Sequence, residues 1–171
     1  MTDLSPIEKV GNIFVKREDL ATFNNINGGK GRVISQFLKE GINQGYTDFV
    51  TCGSRDSVQC EMVSFICECY DIKCHLFMPQ GKNTSIIESI LNNNNTELIR
   101  TKVGYTNVIK KWSSDYAQEN DYYYIPFALE CDTTINVNKM QVQNIPDEVQ
   151  RIVVPIGSGM NFISILTGLS E

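Results

Sequence analysis

Short β-branched apolar runs alternate along this chain with longer stretches in which apolar residues return every three or four positions, the pattern of strands alternating with amphipathic helices. Residues 12–16 read as a strand, and residues 31–41, with Val33, Ile34, Phe37 and Leu38 at helical spacing, as a helix. A strand at 48–52, a helix at 57–70 and a buried strand at 73–78 follow, the last stopped by Pro79 and Gly81. The short helix at 84–91 takes Asn83 or Thr84 as its N-cap. Residues 97–101 and 122–126 read as strands around a helix at 107–118, whereas 131–147 is the least readable part. A last run, 151–156, predicts another buried strand that leads through Gly157-Ser158-Gly159 into an apolar helix. This order implies βαβ units, an α/β fold and a mostly parallel sheet, with no internal repeat.

Composition narrows the field. A chain of 171 residues holds one well-packed domain or two small interleaved lobes. The net charge of −5 and the scatter of basic residues argue against a nucleic-acid surface, which needs clustered Lys and Arg. No stretch approaches the roughly 20 apolar residues needed to cross a bilayer, and no basic region followed by an apolar run suggests a signal peptide. The six cysteines, at 52, 60, 67, 69, 74 and 131, form no C-x-x-C pair, and the single histidine, His75, does not complete a ligand set. No metal is expected, and the cysteines read as reduced structural thiols of a cytoplasmic protein, five of the six in buried strand or helix. His75 reads as a satisfied core histidine, and Trp112 and Tyr122-Tyr123-Tyr124 as packing residues. Arg55 and Asp56 read as a surface pair, and Glu18 and Asp19 as supports of the loop that follows them.

Ligands of parallel α/β sheets bind beyond the carboxyl ends of strands, which directs attention to three junctions. Asn27-Gly28-Gly29-Lys30-Gly31-Arg32 sets a lysine among glycines at a helix mouth, where the positive dipole end disfavours its ammonium form. Burial would add to that and leave a nucleophilic amine; the competing reading is a glycine-rich turn with an exposed lysine. The spacing is not that of a P-loop. Cys52-Gly53-Ser54-Arg55-Asp56-Ser57-Val58-Gln59 offers hydroxyls and amides suited to a carboxylate, or simply a helix capped by Asp56 or Ser57. Gly157-Ser158-Gly159-Met160-Asn161 can turn successive amides toward one phosphate, or form a tight strand–helix turn. Phe162 stands where a dinucleotide fingerprint needs its third glycine.

The order of these junctions is more specific than any one of them. Val15-Lys16-Arg17-Glu18-Asp19-Leu20, ahead of Gly28-Gly29-Lys30-Gly31-Arg32, is similar to the opening of fold type II (tryptophan synthase β-like) pyridoxal-phosphate enzymes. That group includes aminocyclopropane-carboxylate deaminase, D-cysteine desulfhydrase, threonine dehydratase and threonine synthase. Gly53 with Ser57 and Gln59 resembles its substrate-carboxylate loop, and Gly157-Ser158-Gly159 falls where it places a phosphate-binding loop. Tyr124-Ile125-Pro126-Phe127 resembles its short strand before a long connection. The chain departs from the deaminase branch in lacking an asparagine between Gly29 and Lys30, in carrying Val58 where that branch has a cofactor-bonding asparagine, and in carrying Met160 and Asn161 for glycine and threonine. It covers only the N-terminal half of a usual member.

The resemblance implies a three-layer fold, with 1–45 and 145–171 as parts of a large cofactor domain and 46–144 as a small lobe. It implies pyridoxal 5'-phosphate as cofactor, bound through a Schiff base to Lys30, sheltered from water, with Gly157, Ser158, Gly159, Met160 and Asn161 around the phosphate. Gly53, Ser54, Ser57 and Gln59 would then bind the substrate, a small amino acid or an amino-acid adduct. The implied reaction is elimination or deamination, with β-replacement next. A non-catalytic relative serving as a binding or assembly module is the other reading. A homo-oligomer is expected in either case, since a half-length chain exposes an apolar face.

Overall fold

The computed structural model describes residues 4–23 and 26–171. These fall into two compact units, Met1–Gln36 with Leu129–Glu171, and Phe37–Ala128. The first unit opens with strands β1 (Ile7–Val10) and β2 (Ile13–Lys16), paired antiparallel with Ile7 opposite Lys16, and a second short pair, β3 (Thr22–Phe23) and β4 (Ile26–Asn27). The predicted strand at 12–16 therefore belongs to a hairpin turned at Gly11, not to the parallel sheet. Helix α1 (Lys30–Asn43) starts in this unit and ends in the next.

The second unit runs β5 (Asp48–Cys52), α2 (Val58–Cys69), β6 (Lys73–Pro79), α3 (Ser85–Leu91), β7 (Thr96–Thr101), α4 (Thr106–Asn120) and β8 (Tyr123–Tyr124). Its four strands are all parallel, in the order β7-β6-β5-β8. Strand residues point alternately to the two faces. Val50, Cys52 and Phe77 meet Ile109 and Ala117 of α4 on one side. On the other, Thr51 meets Gln59 of α2, Ser64 of α2 bonds Thr96 at 2.7 Å, and Phe49 packs on Gly41 and Tyr123. Helices on both faces of one parallel sheet are the three layers that alternating elements imply.

The helix starts have local causes. Ser57 caps α2, its Oγ accepting from the Cys60 N–H at 3.3 Å, and Thr84 caps α3 through the Ile87 N–H at 3.4 Å. His75 is the satisfied core histidine expected: its ring nitrogens lie 2.9 Å from Glu97 and 3.0 Å from Asp48, and the ring stacks on Tyr122 at 4.8 Å. Four cysteines are buried, Cys131 is half-buried, and Cys69 is exposed at the end of α2. Trp112 is exposed too, and Arg55 donates to the Lys82 carbonyl at 3.3 Å.

Tyr124 sits beside Ser113 and Cys52, and burial pushes its phenol up to about 12. A phenol whose folded pKa lies above the unfolded value of about 10 adds stability that is whole below pH 10 and disappears as pH rises through 12. Tyr124→Phe is therefore expected to flatten the decline of stability across that window in urea melts at stepped pH. An equally steep decline in the variant would assign the titration elsewhere.

The chain returns to the first unit through α5 (Asp132–Asn138), a 3-10 turn at Lys139–Val142 and α6 (Met160–Ser170). Two sequence expectations change here. Strand 122–126 shrinks to Tyr123–Tyr124, and residues 151–156 form no strand, leaving Val153 86% and Ile156 65% exposed. A β-branched run becomes a strand only on a neighbouring backbone ladder, and none of the described residues offers one.

Candidate functional site

The glycine-lysine segment begins from a turn. Gly28 donates its N–H to the Ala21 carbonyl at 2.7 Å and accepts from the Gly31 N–H at 3.0 Å. Its φ of 122° is open to glycine alone at low cost. Gly29 lies so close to Glu18 that a Cβ would collide with the carboxylate oxygen and stand 3.2 Å from Cδ. Lys30 is the first residue of α1, and its side chain is exposed. This corrects the expectation of shelter. A first-turn side chain has no preceding turn to lie on, and its neighbours at 28, 29 and 31 are glycines that supply no wall.

Arg32, one half-turn on, is buried at 5% exposure, and its guanidinium collects the unit around it. It donates to Ser5 Oγ at 2.7 Å, to Glu18 at 3.4 Å and to Asn138 Oδ1 at 3.3 Å, and lies 5.4 Å from the Phe23 ring centre. Glu18 thus supports the loop, as expected, while Asp19 pairs with Arg17. Lys16 is half-buried and donates to Asn144 Oδ1 at 2.6 Å; burial lowers its pKa, partly offset by Glu18.

The second glycine segment lies in the same unit. Gly159 caps α6 at φ 87°, no side chain caps this helix, and a Cβ at Gly157 or Gly159 would meet nothing within 4 Å. Helix-terminal N–H groups beside an open glycine-flanked loop are suited to an anion. Asn161, in the first turn, accepts from Asn138 Nδ2 at 3.2 Å. Arg32, Asn138 and Asn161 therefore form one hydrogen-bonded row from the lysine helix to the glycine loop. Asn138 was not foreseen, because it falls in the unreadable stretch 131–147 and only its tertiary partners distinguish it.

In the other unit the strand order reverses between β5 and β8, the switch point where parallel sheets open a crevice. Cys52, Gly53, Ser54, Pro79, Thr106 and Phe127 line a cleft of about 100 Å³ there. Pockets for whole cofactors run roughly 300–1,000 Å³, so this one suits a group of carboxylate size. Ser57 Oγ is engaged as the α2 cap, and Gln59, 3% exposed, donates to Thr51 Oγ1 at 3.2 Å and the Pro126 carbonyl at 2.9 Å. Gln59 thus holds the cleft wall from behind. A Cβ on Gly53 would collide with Ser57 Oγ and stand 2.7 Å from Cys60 Sγ. Gly53→Ala is accordingly expected to cost about 1–3 kcal/mol of stability by overpacking, measured by denaturant melts; a change within about 0.5 kcal/mol, the usual surface range, would show that the loop yields freely.

The chain can be placed against known proteins. The pattern of the family described as "Pyridoxal-phosphate dependent enzyme" matches residues 1–171. A crystal structure of an ACC deaminase homologue superposes with a TM-score of 0.84 at 19% identity, over 98% of this chain and 56% of that one. A pyridoxal 5'-phosphate-dependent aspartate racemase gives 0.58 at 15% identity, covering 78% of this chain and 40% of its own. A hydrogen sulfide-producing enzyme from Fusobacterium nucleatum gives 0.58 at 18%, covering 79% and 46%. At these identities the likeness is one of fold, and the chain spans about half the length of the solved structures it matches. No curated protein sequence matches it. Among the described residues, no helix is long and apolar enough to cross a membrane, and no His, Cys, Asp and Glu cluster could hold a metal ion.

Proposed function

From membership of the pyridoxal-phosphate-dependent enzyme family, to which this chain belongs over residues 1–171, we propose that it acts on a small amino acid by elimination or deamination, with Lys30 as the residue that holds the cofactor. What carries the reading is that one compact unit contains both attachments the cofactor needs, an amine at the mouth of α1 and an uncapped helix end at Gly157-Ser158-Gly159, with Arg32, Asn138 and Asn161 bonded in a row from one to the other. The open loop fits a phosphate monoester, because its glycines leave room for the anion and the first-turn amides of α6 supply donors.

When bound, the cofactor's conjugated ring supplies an electron sink for a bond broken at the substrate's α carbon. The chain's own residues do the rest. Lys30 would hold the cofactor at its aldehyde end through the ε-amino group and, as a free amine once substrate is seated, would move the proton at the α carbon. Gly157, Ser158, Gly159, Met160 and Asn161 would hold the phosphate. Gly53 and Ser54 of the other unit would receive the substrate carboxylate in the cleft at the end of β5, with Ser57 and Gln59 supporting that loop. The exposed apolar side chains of α6 and of 151–156 would draw two copies together, and sedimentation showing a monomer at all concentrations would count against that.

The exposure of Lys30 favours the second reading, a non-catalytic member used for binding. One experiment separates the two. Purified protein mixed with pyridoxal 5'-phosphate should develop the yellow absorbance of an imine, and borohydride should fix the label on the peptide carrying Lys30. A label on Lys16, whose half-buried amine is the other candidate in the unit, would reassign the attachment. A colourless mixture would favour the binding module.

A further inference from the structure

We infer that Asn138 is a positioning residue for the cofactor, coupling the helix that starts with Lys30 to the glycine loop that receives the phosphate; this rests on the Lys30 reading. Asn138 is the last residue of α5, half-buried, and uses both ends of its amide. Its oxygen accepts from Arg32 Nη1 at 3.3 Å, and its nitrogen donates to Asn161 Oδ1 at 3.2 Å. Arg32 lies two residues beyond Lys30 on α1, and Asn161 two residues beyond Gly159 at the start of α6. The guanidinium is itself fixed by Ser5 and Glu18, so the row has a rigid origin.

The two helix mouths would clamp opposite ends of one rigid ligand. A ligand with both an aldehyde and a phosphate gains from both ends only when their separation is already set; otherwise ordering the loop consumes the gain. An amide at position 138 suits this place, since one group must accept from a cation on one side and donate to a neutral oxygen on the other. Deleting it should loosen the phosphate end relative to the amine end and leave the amine's own chemistry alone.

The test compares pyridoxal 5'-phosphate with pyridoxal, which keeps the aldehyde and lacks the phosphate, by imine absorbance on the parent, Asn138→Ala and Asn138→Asp. Alanine is a good helix former and Arg32 keeps Ser5 and Glu18 as acceptors, so the variant should still fold. Asn138→Ala is expected to weaken the phosphorylated ligand about tenfold, the scale of one or two hydrogen bonds, and to leave pyridoxal within about twofold. Asn138→Asp should restore the parent preference, because a carboxylate still accepts from Arg32 and the Asn161 amide can turn over to donate. If Asn138→Ala weakens both ligands alike, or neither, or if Asn138→Asp behaves like Ala, the coupling role is wrong while Lys30 stands. If the parent binds neither ligand, the Lys30 reading fails and this inference with it.

Discussion

Lys30→Ala is expected to leave a folded protein that no longer develops the imine absorbance with pyridoxal 5'-phosphate and whose turnover falls by about 10²–10⁴-fold, the usual worth of a positioned proton carrier. The exposed side chain at the first position of α1 leaves no cavity when shortened, and alanine is at least as good a helix former. Stability should therefore move by no more than about 0.5 kcal/mol. That separation of folding from binding makes the variant informative, since a merely structural lysine would show neither loss. Full retention of the absorbance in Lys30→Ala would remove Lys30 from the chemistry and turn attention to Lys16.

Phe49→Ala should produce the largest loss of stability, about 3–5 kcal/mol. Phe49 is fully buried in β5, a strand with parallel neighbours on both sides. Its ring lies 5.3 Å from the Tyr123 ring centre, and its tip packs so closely on Gly41 of α1 that a Cβ there would stand 2.6 Å from Cζ. Glycine at 41 and phenylalanine at 49 thus fill one space, with the Tyr123 ring against its other side. Guanidinium melts read the loss directly. A loss below about 1 kcal/mol would mean that the site collapses on itself and that the packing is not as close as described.

Much of the fold was readable along the chain because local chemistry and tertiary demand agree in the second unit. β5 and β6 are almost continuously buried because both faces of their sheet are covered, and Ser57 and Thr84 stand where helix starts need an acceptor. Residues 151–156 show the opposite case. Their composition is that of a buried strand, but strand formation is a property of a pair of backbones, and one segment cannot supply the second.

The site was legible to a different depth in each part. Gly28 and Gly159 could be singled out because positive φ is written into residue type, and Lys30 because it stands among glycines at a helix start. Exposure is different, since it depends on what surrounds a residue and not on what the residue is; so Lys30, placed in shelter by resemblance, lies open. Gln59 resembles a substrate ligand in its place along the chain, and only the folded structure shows that its amide nitrogen donates to Thr51 and Pro126 within its own unit. Asn138 had no local mark at all.

By itself, then, the order of residues determined which segments are helix or strand in the second unit, where the chain turns, and which glycines and lysine open the helices, because those choices are made by neighbours within a few positions. Only the tertiary structure decided which polar groups meet: the Arg32, Asn138 and Asn161 row, the His75 clamp and the committed Gln59 join residues 20 to more than 100 positions apart. A hydrogen bond acts over about 3 Å in space, and no regularity along a sequence encodes a distance between segments that meet only on folding.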